Sequence, residues 1–201
     1  MTNAMPNLTR SEQDYLKALY ARAAREGSAQ LVTVSGEPGV GKSRLVRELR
    51  AFVDWQPEGA RWRQGRCLPY GEGITFWALG EIIKSQAGIL ESDRPAEAAD
   101  KLAGAVGAVI DDPAERDWLT ARLALLVGAG APGAAGPADR SESFTAWRRF
   151  LEALAGDRPL VLVFEDVHWA GPALLEFLEH LVDGAMGLPF LVVCTTRPEL
   201  F

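Results

Sequence analysis

The sequence predicts an α/β fold in which a mostly parallel sheet is covered by helices on both sides. Three observations carry this. One continuous apolar run, Leu160-Val161-Leu162-Val163-Phe164, has the composition of a parallel strand buried on both faces, and a last apolar strand runs from about Leu188 to Cys194. A third short β-branched run, Leu31-Val32-Thr33-Val34, leads into a glycine-rich loop and then an amphipathic segment. Segments of helical periodicity separate these runs, the alternation expected of a parallel sheet.

Taken in order, Ser11 to about Glu26 repeats Tyr15, Leu16, Leu19, Tyr20 and Ala23 at helical spacing, with Ser11 as N-cap and Gly27 as stop. A strand over about 30–35 follows. The next helix, Arg44 to Val53, buries Leu45, Val46, Leu49, Phe52 and Val53 and wets Arg44, Arg47, Glu48 and Arg50. A second strand is expected from about Ala60 to Cys67, with Arg61, Arg63 and Arg66 read as a solvated face rather than a phosphate-contacting patch. The middle, about 74–140, reads as a helical insertion: Ile74 to Gln86, Pro95 to Ile110 and Pro113 to Val127, the last two opening on proline. Residues 128–139 are too rich in Gly and Pro for regular structure. Ser141 then caps a helix bearing Phe144, Trp147, Leu151 and Leu154, and a last helix starts near Pro172.

Composition narrows the function. With 48% hydrophobic and 24% charged residues in 201, the chain is ordinary for a globular domain, and its net charge of −6 provides no basic field for direct nucleic-acid binding. Two cysteines, Cys67 and Cys194, and two histidines, His168 and His180, make neither a disulfide framework nor a zinc spacing. No apolar run approaches the ~18 residues of a membrane span, and Met1 to Arg10 lacks a signal-peptide core. A cytoplasmic protein with reduced thiols is the expectation.

The chemistry is concentrated in Gly36-Glu37-Pro38-Gly39-Val40-Gly41-Lys42-Ser43, which fits G-x-x-x-x-G-K-[ST]. Backbone freedom at the glycines lets successive N–H groups turn toward phosphate oxygens at a helix N-terminus. Lys42 supplies a compact positive charge for the β and γ phosphates, and the Ser43 hydroxyl a ligand for the accompanying Mg²⁺. Arg44, next along, completes the candidate nucleotide-contacting set. The dinucleotide signature G-x-G-x-x-G is absent.

Hydrolysis also needs carboxylates at the tip of a neighbouring strand. Glu165 and Asp166 follow directly on the buried run, where ligands collect in open α/β sheets. They are the candidate metal and water-orienting groups; the alternative is a carboxylate pair that only caps the strand-to-helix turn.

These motifs, with Val161 to Ala170, Val192 to Glu199 and Gly65-Arg66-Cys67-Leu68-Pro69-Tyr70-Gly71-Glu72-Gly73-Ile74-Thr75-Phe76-Trp77, resemble the STAND-type branch of AAA-like P-loop ATPases. Within that branch the chain is similar to the module that accompanies bacterial class III adenylate/guanylate cyclase domains, and to modules of large LuxR-type regulators. The resemblance covers about 28–201, with 1–27 a lead-in segment. It implies a P-loop NTPase three-layer fold, ATP and Mg²⁺ as ligands, ATP/ADP exchange coupled to attached or partner effector domains, and Arg197 as a γ-phosphate sensor. Oligomerisation is compatible with it.

Several positions depart from the family pattern. The acidic pair reads Glu then Asp where relatives carry Asp-Asp or Asp-Glu, so which residue serves metal and which water stays open. Gly171 stands where relatives have Asp, as an N-cap before Pro172. Leu8-Thr9-Arg10-Ser11-Glu12 is a degraded form of a nucleotide-contacting segment, with Arg10 its base or ribose contact. The family continues past Phe201 into a further strand beside the phosphate-loop strand and a helical lid. The sheet is therefore expected to lack both, leaving 30–35 as an edge, exposed or covered by a partner or the N-terminal helix. Weak ATP hydrolysis in a regulatory switch is the leading expectation. A non-catalytic nucleotide-binding scaffold is the alternative, and no acceptor-binding signature supports a small-molecule kinase.

Overall fold

A computed structural model describes residues 10–69, 75–130, 140–156, 158–185 and 187–198. The lead-in stretch 1–9, the helix start expected at Ile74, most of the Gly/Pro loop and Glu199 lie outside the described residues. The elements among the described residues are α1 (Arg10–Glu26), β1 (Gln30–Ser35), α2 (Lys42–Asp54), β2 (Arg61–Arg66), α3 (Trp77–Ala87), α4 (Pro95–Gly107), α5 (Pro113–Val127), α6 (Arg140–Leu154), β3 (Leu160–Glu165), α7 (Pro172–Gly184) and β4 (Phe190–Thr196), with a 3-10 turn at Val167–Trp169.

The four strands form one parallel sheet in the order β1-β4-β3-β2. The sheet is covered on both faces, and strand parity decides which helices each residue meets. Val161, Val163, Leu191 and Val193 pack with Leu16 and Tyr20 of α1 and Leu45, Val46, Leu49 and Val53 of α2. Their neighbours Leu160, Leu162, Phe164, Phe190, Val192 and Cys194 face the opposite core, built with α3 to α7. Every residue of β3 and β4 is buried, which explains why these strands read as apolar. The α/β P-loop NTPase-like architecture expected from the sequence is present, and β1 lies at the sheet edge with β4 as its strand neighbour.

Packing sets where some elements begin. Gly65 lets α3 approach β2 closely: a Cβ there would lie 2.0 Å from the Ala78 carbonyl oxygen. Asp112 caps α5 by accepting the Glu115 N–H at 2.7 Å, and Pro113 occupies the first helical position. Other helix starts differ from expectation. The described part of α1 runs from Arg10 and that of α6 from Arg140, so Ser11 and Ser141 lie inside the helices rather than at their caps; the Ser141 carbonyl accepts the Thr145 hydroxyl at 2.9 Å. Tyr15, read as part of the buried stripe, is 60% exposed, while Leu16, Tyr20 and Ala23 are buried. Among the described residues no helix is long and apolar enough to cross a membrane.

Candidate nucleotide site

Parallel strands bring all their carboxyl ends to one edge, so Ser35, Arg66, Glu165 and Thr196 end together there. The glycine loop leaves β1 at this edge. Its first residue is tied to the next strand by Gly36 N–H donating to the Thr196 carbonyl at 3.3 Å. Gly39 (φ 88°) and Gly41 (φ 107°) take left-handed conformations, and Gly41 is the N-cap of α2. That cap explains why α2 starts at Lys42, two residues before the expected start at Arg44. A Cβ at Gly36 would come within 2.8 Å of Val40 Cγ2, so the loop closes around a missing side chain.

Lys42 folds back over the loop, donating to the Gly36 carbonyl and to the Glu37 carbonyl at 3.0 Å. An ammonium carries three donors, so this leaves one for an anion in the cleft. That cleft, of about 350 Å³, is lined by Pro38, Gly39, Gly41, Lys42, Ser43, Arg44, Arg47, Asp166 and Arg197. It is the size of a small-ligand site, and Lys42, Arg44, Arg47 and Arg197 face a single carboxylate. The balance suits a polyanion such as a nucleotide triphosphate.

The acidic pair divides. Asp166 follows β3 in a left-handed conformation (φ 57°, ψ 42°), which Asp tolerates better than most residues, and its side chain lines the cleft. Its backbone N–H donates to the Thr195 hydroxyl at 3.1 Å. Glu165 is the last residue of β3; its side chain is 12% exposed and does not line the cleft. Both carboxylates meet one cation: Arg66 Nη2 lies 3.3 Å from Glu165 Oε2, and Arg66 Nε lies 3.4 Å from Asp166 Oδ2.

This corrects the reading of Arg66 as part of a solvated arginine face. Strand parity separates it from Arg61 and Arg63, which lie on the other side of β2. Arg61 donates to the Leu154 carbonyl and Arg63 Nη1 to the Trp62 carbonyl at 2.8 Å. Burial, followed by the nearby Arg61 charge, pulls the Arg63 guanidinium below its usual value. Parity alone sets Arg66 apart from the other two arginines, but its carboxylate partners follow only from the pairing of β2 with β3. Arg47 was read only as part of the wet helix face, although one turn of helix carries Ser43 to Arg47 on the same side.

Arg197 emerges from the end of β4 into the cleft, with its guanidinium carbon 5.9 Å from the Trp169 ring centre. Loop and strand tips thus bring together Lys42, Ser43, Arg44, Asp166 and Arg197, whereas Gly36, Glu37 and Val40 belong to the loop without lining the cleft. No group of three or more His, Cys, Asp or Glu able to hold a metal occurs among the described residues. A divalent ion here would take Ser43 and Asp166 together with phosphate oxygens and water, the usual manner of Mg²⁺ in nucleotide sites.

Residues 9–193 match the AAA ATPase domain family, and the chain belongs to that family. It is a P-loop, AAA-like module of the nucleotide-binding class. A curated relative, an uncharacterized protein of Rhizobium meliloti (strain 1021), is 31% identical over 183 residues, which is 86% of this chain. The chain spans only about 17% of that relative's length.

Proposed function

We propose that this chain is an Mg²⁺-ATP-binding regulatory switch with weak ATP hydrolysis, the nucleotide-dependent part of a STAND-type signalling or transcriptional regulator. The observation that carries the reading is one cleft walled by the loop lysine, the Ser43 hydroxyl, Asp166 and Arg197. In this reading Lys42 and the loop N–H groups hold the phosphates. Ser43 and Asp166 position the metal, whose charge would offset that of the phosphate oxygens. Arg197 spans the terminal phosphate with its planar fork. Effector domains of cyclase or LuxR type, attached or partnered, would read the nucleotide state, in a cytoplasmic setting.

Glu165 is the residue left to orient an attacking water. Its pairing with Arg66 and small exposure favour slow turnover, and they also support the second reading, a nucleotide-binding scaffold without catalysis. Steady-state phosphate release separates the two. Mg²⁺-dependent release that Glu165→Gln abolishes, while nucleotide binding persists, supports the switch with hydrolysis. Tight nucleotide binding without any Mg²⁺-dependent release supports the scaffold.

A further inference from the structure

The most unusual feature of the strand tips is that one arginine answers both members of the acidic pair. Arg66 is anchored by its backbone: its N–H donates to Glu81 Oε2 on α3 at 2.7 Å, and the next residue's N–H, that of Cys67, donates to the Glu165 carbonyl at 2.9 Å. Its Cα is therefore fixed opposite Glu165 in the β2–β3 register. The side chain is different. It is 56% exposed, and its contacts at 3.3 and 3.4 Å are longer than tight charge-assisted hydrogen bonds. A long side chain on a fixed backbone, loosely paired and half in solvent, can leave without disturbing the sheet.

We propose that Arg66 is a built-in counter-ion of the acidic pair, competing with a divalent cation for Asp166 and Glu165. This rests on the reading of Asp166 as the carboxylate that meets the metal. Without the metal, Arg66 neutralises two carboxylates brought together at the strand tips. When a divalent ion reaches Asp166, the Arg66–Asp166 contact is exchanged for an ion–carboxylate contact, and the guanidinium moves to solvent or stays on Glu165.

The test is a titration with Mn²⁺ alone, followed by electron paramagnetic resonance, on the whole chain and on Arg66→Gln and Arg66→Ala. Loss of the competing charge should tighten Mn²⁺ binding by roughly threefold to tenfold, the scale of two partly exposed ion pairs. Arg66→Lys, a cation unable to span both carboxylates, should fall between. Unchanged or weaker Mn²⁺ binding in both neutral variants, with melting curves like the parent, would overturn the proposal. Should one neutral variant fail to fold, the other and Arg66→Lys still decide it. A parallel titration with Lys42→Ala separates this from the nucleotide reading: a lysine that serves only phosphate leaves the Mn²⁺ shift intact even if no nucleotide binds at all.

Discussion

Asp166 gives its backbone N–H to the Thr195 hydroxyl at 3.1 Å, so the residue that walls the cleft after β3 is fixed by a buried side chain of β4. Replacing Thr195 with Val keeps shape and removes the acceptor, leaving the Asp166 N–H without its partner. Thr195→Val should cost about 1–3 kcal/mol in urea unfolding and weaken Mg²⁺-dependent nucleotide binding, while Thr195→Ser should restore most of both.

The left-handed backbone of Asp166 makes a second prediction. A β-branched residue there meets the steric penalty that Asp and Asn partly avoid, about 1–2 kcal/mol. Asp166→Val should be destabilised on that scale, and Asp166→Asn should unfold close to the parent. The two remain alike in lacking the carboxylate, so both should lose the Mg²⁺ dependence of nucleotide binding, measured by titration at fixed nucleotide.

The Arg197–Trp169 contact gives a third. Trp169 is 41% exposed and lies beside the guanidinium that the proposed function places on the terminal phosphate. Trp169→Ala should reduce the preference for ATP over ADP by roughly twofold to fivefold, the scale of an exposed cation–π contact, with Trp169→Phe intermediate. Paired ATP and ADP affinities measure it.

Alkaline pH should destabilise the fold through its thiols. Burial, with lesser contributions from Asp166 and Glu81, pushes Cys67 from 9.0 to about 12; burial, with a smaller contribution from Cys67, pushes Cys194 to about 12. A raised folded-state value means the unfolded chain loses its protons first. Stability is thus complete below about pH 9 and falls as pH rises from 9 toward 12, by at most ~1.4 kcal/mol per pH unit for each thiol. Thermal melting across that window should show the decline, with a shallower slope in Cys194→Ala even though the substitution lowers stability overall.

Much of this architecture was legible because parallel strands covered on both faces must be apolar throughout, and β3 and α5 appear where the residues placed them. The end of β4 was not. Thr195 and Thr196 continue the strand at 3% and 0% exposure, yet carry hydroxyls that give no apolar signal; hydrogen bonds to the Asp166 N–H and the Arg197 carbonyl explain their burial. The phosphate loop was legible as a motif because its chemistry is local. Arg66 was not, since its role depends on which strand lies beside β2, and that neighbour, β3, is about a hundred residues away in the chain. Arg47 was hidden differently: an arginine on the wet side of a helix looks the same whether it faces bulk water or a cleft.

Titration calorimetry of ATP with Mg²⁺ on the whole chain and on Lys42→Ala addresses the nucleotide site most directly. Lost charge-assisted contacts predict saturable binding to the parent and an affinity lower by roughly tenfold to a hundredfold in the variant. Equal affinity in the two proteins, or no binding by either, would contradict the account.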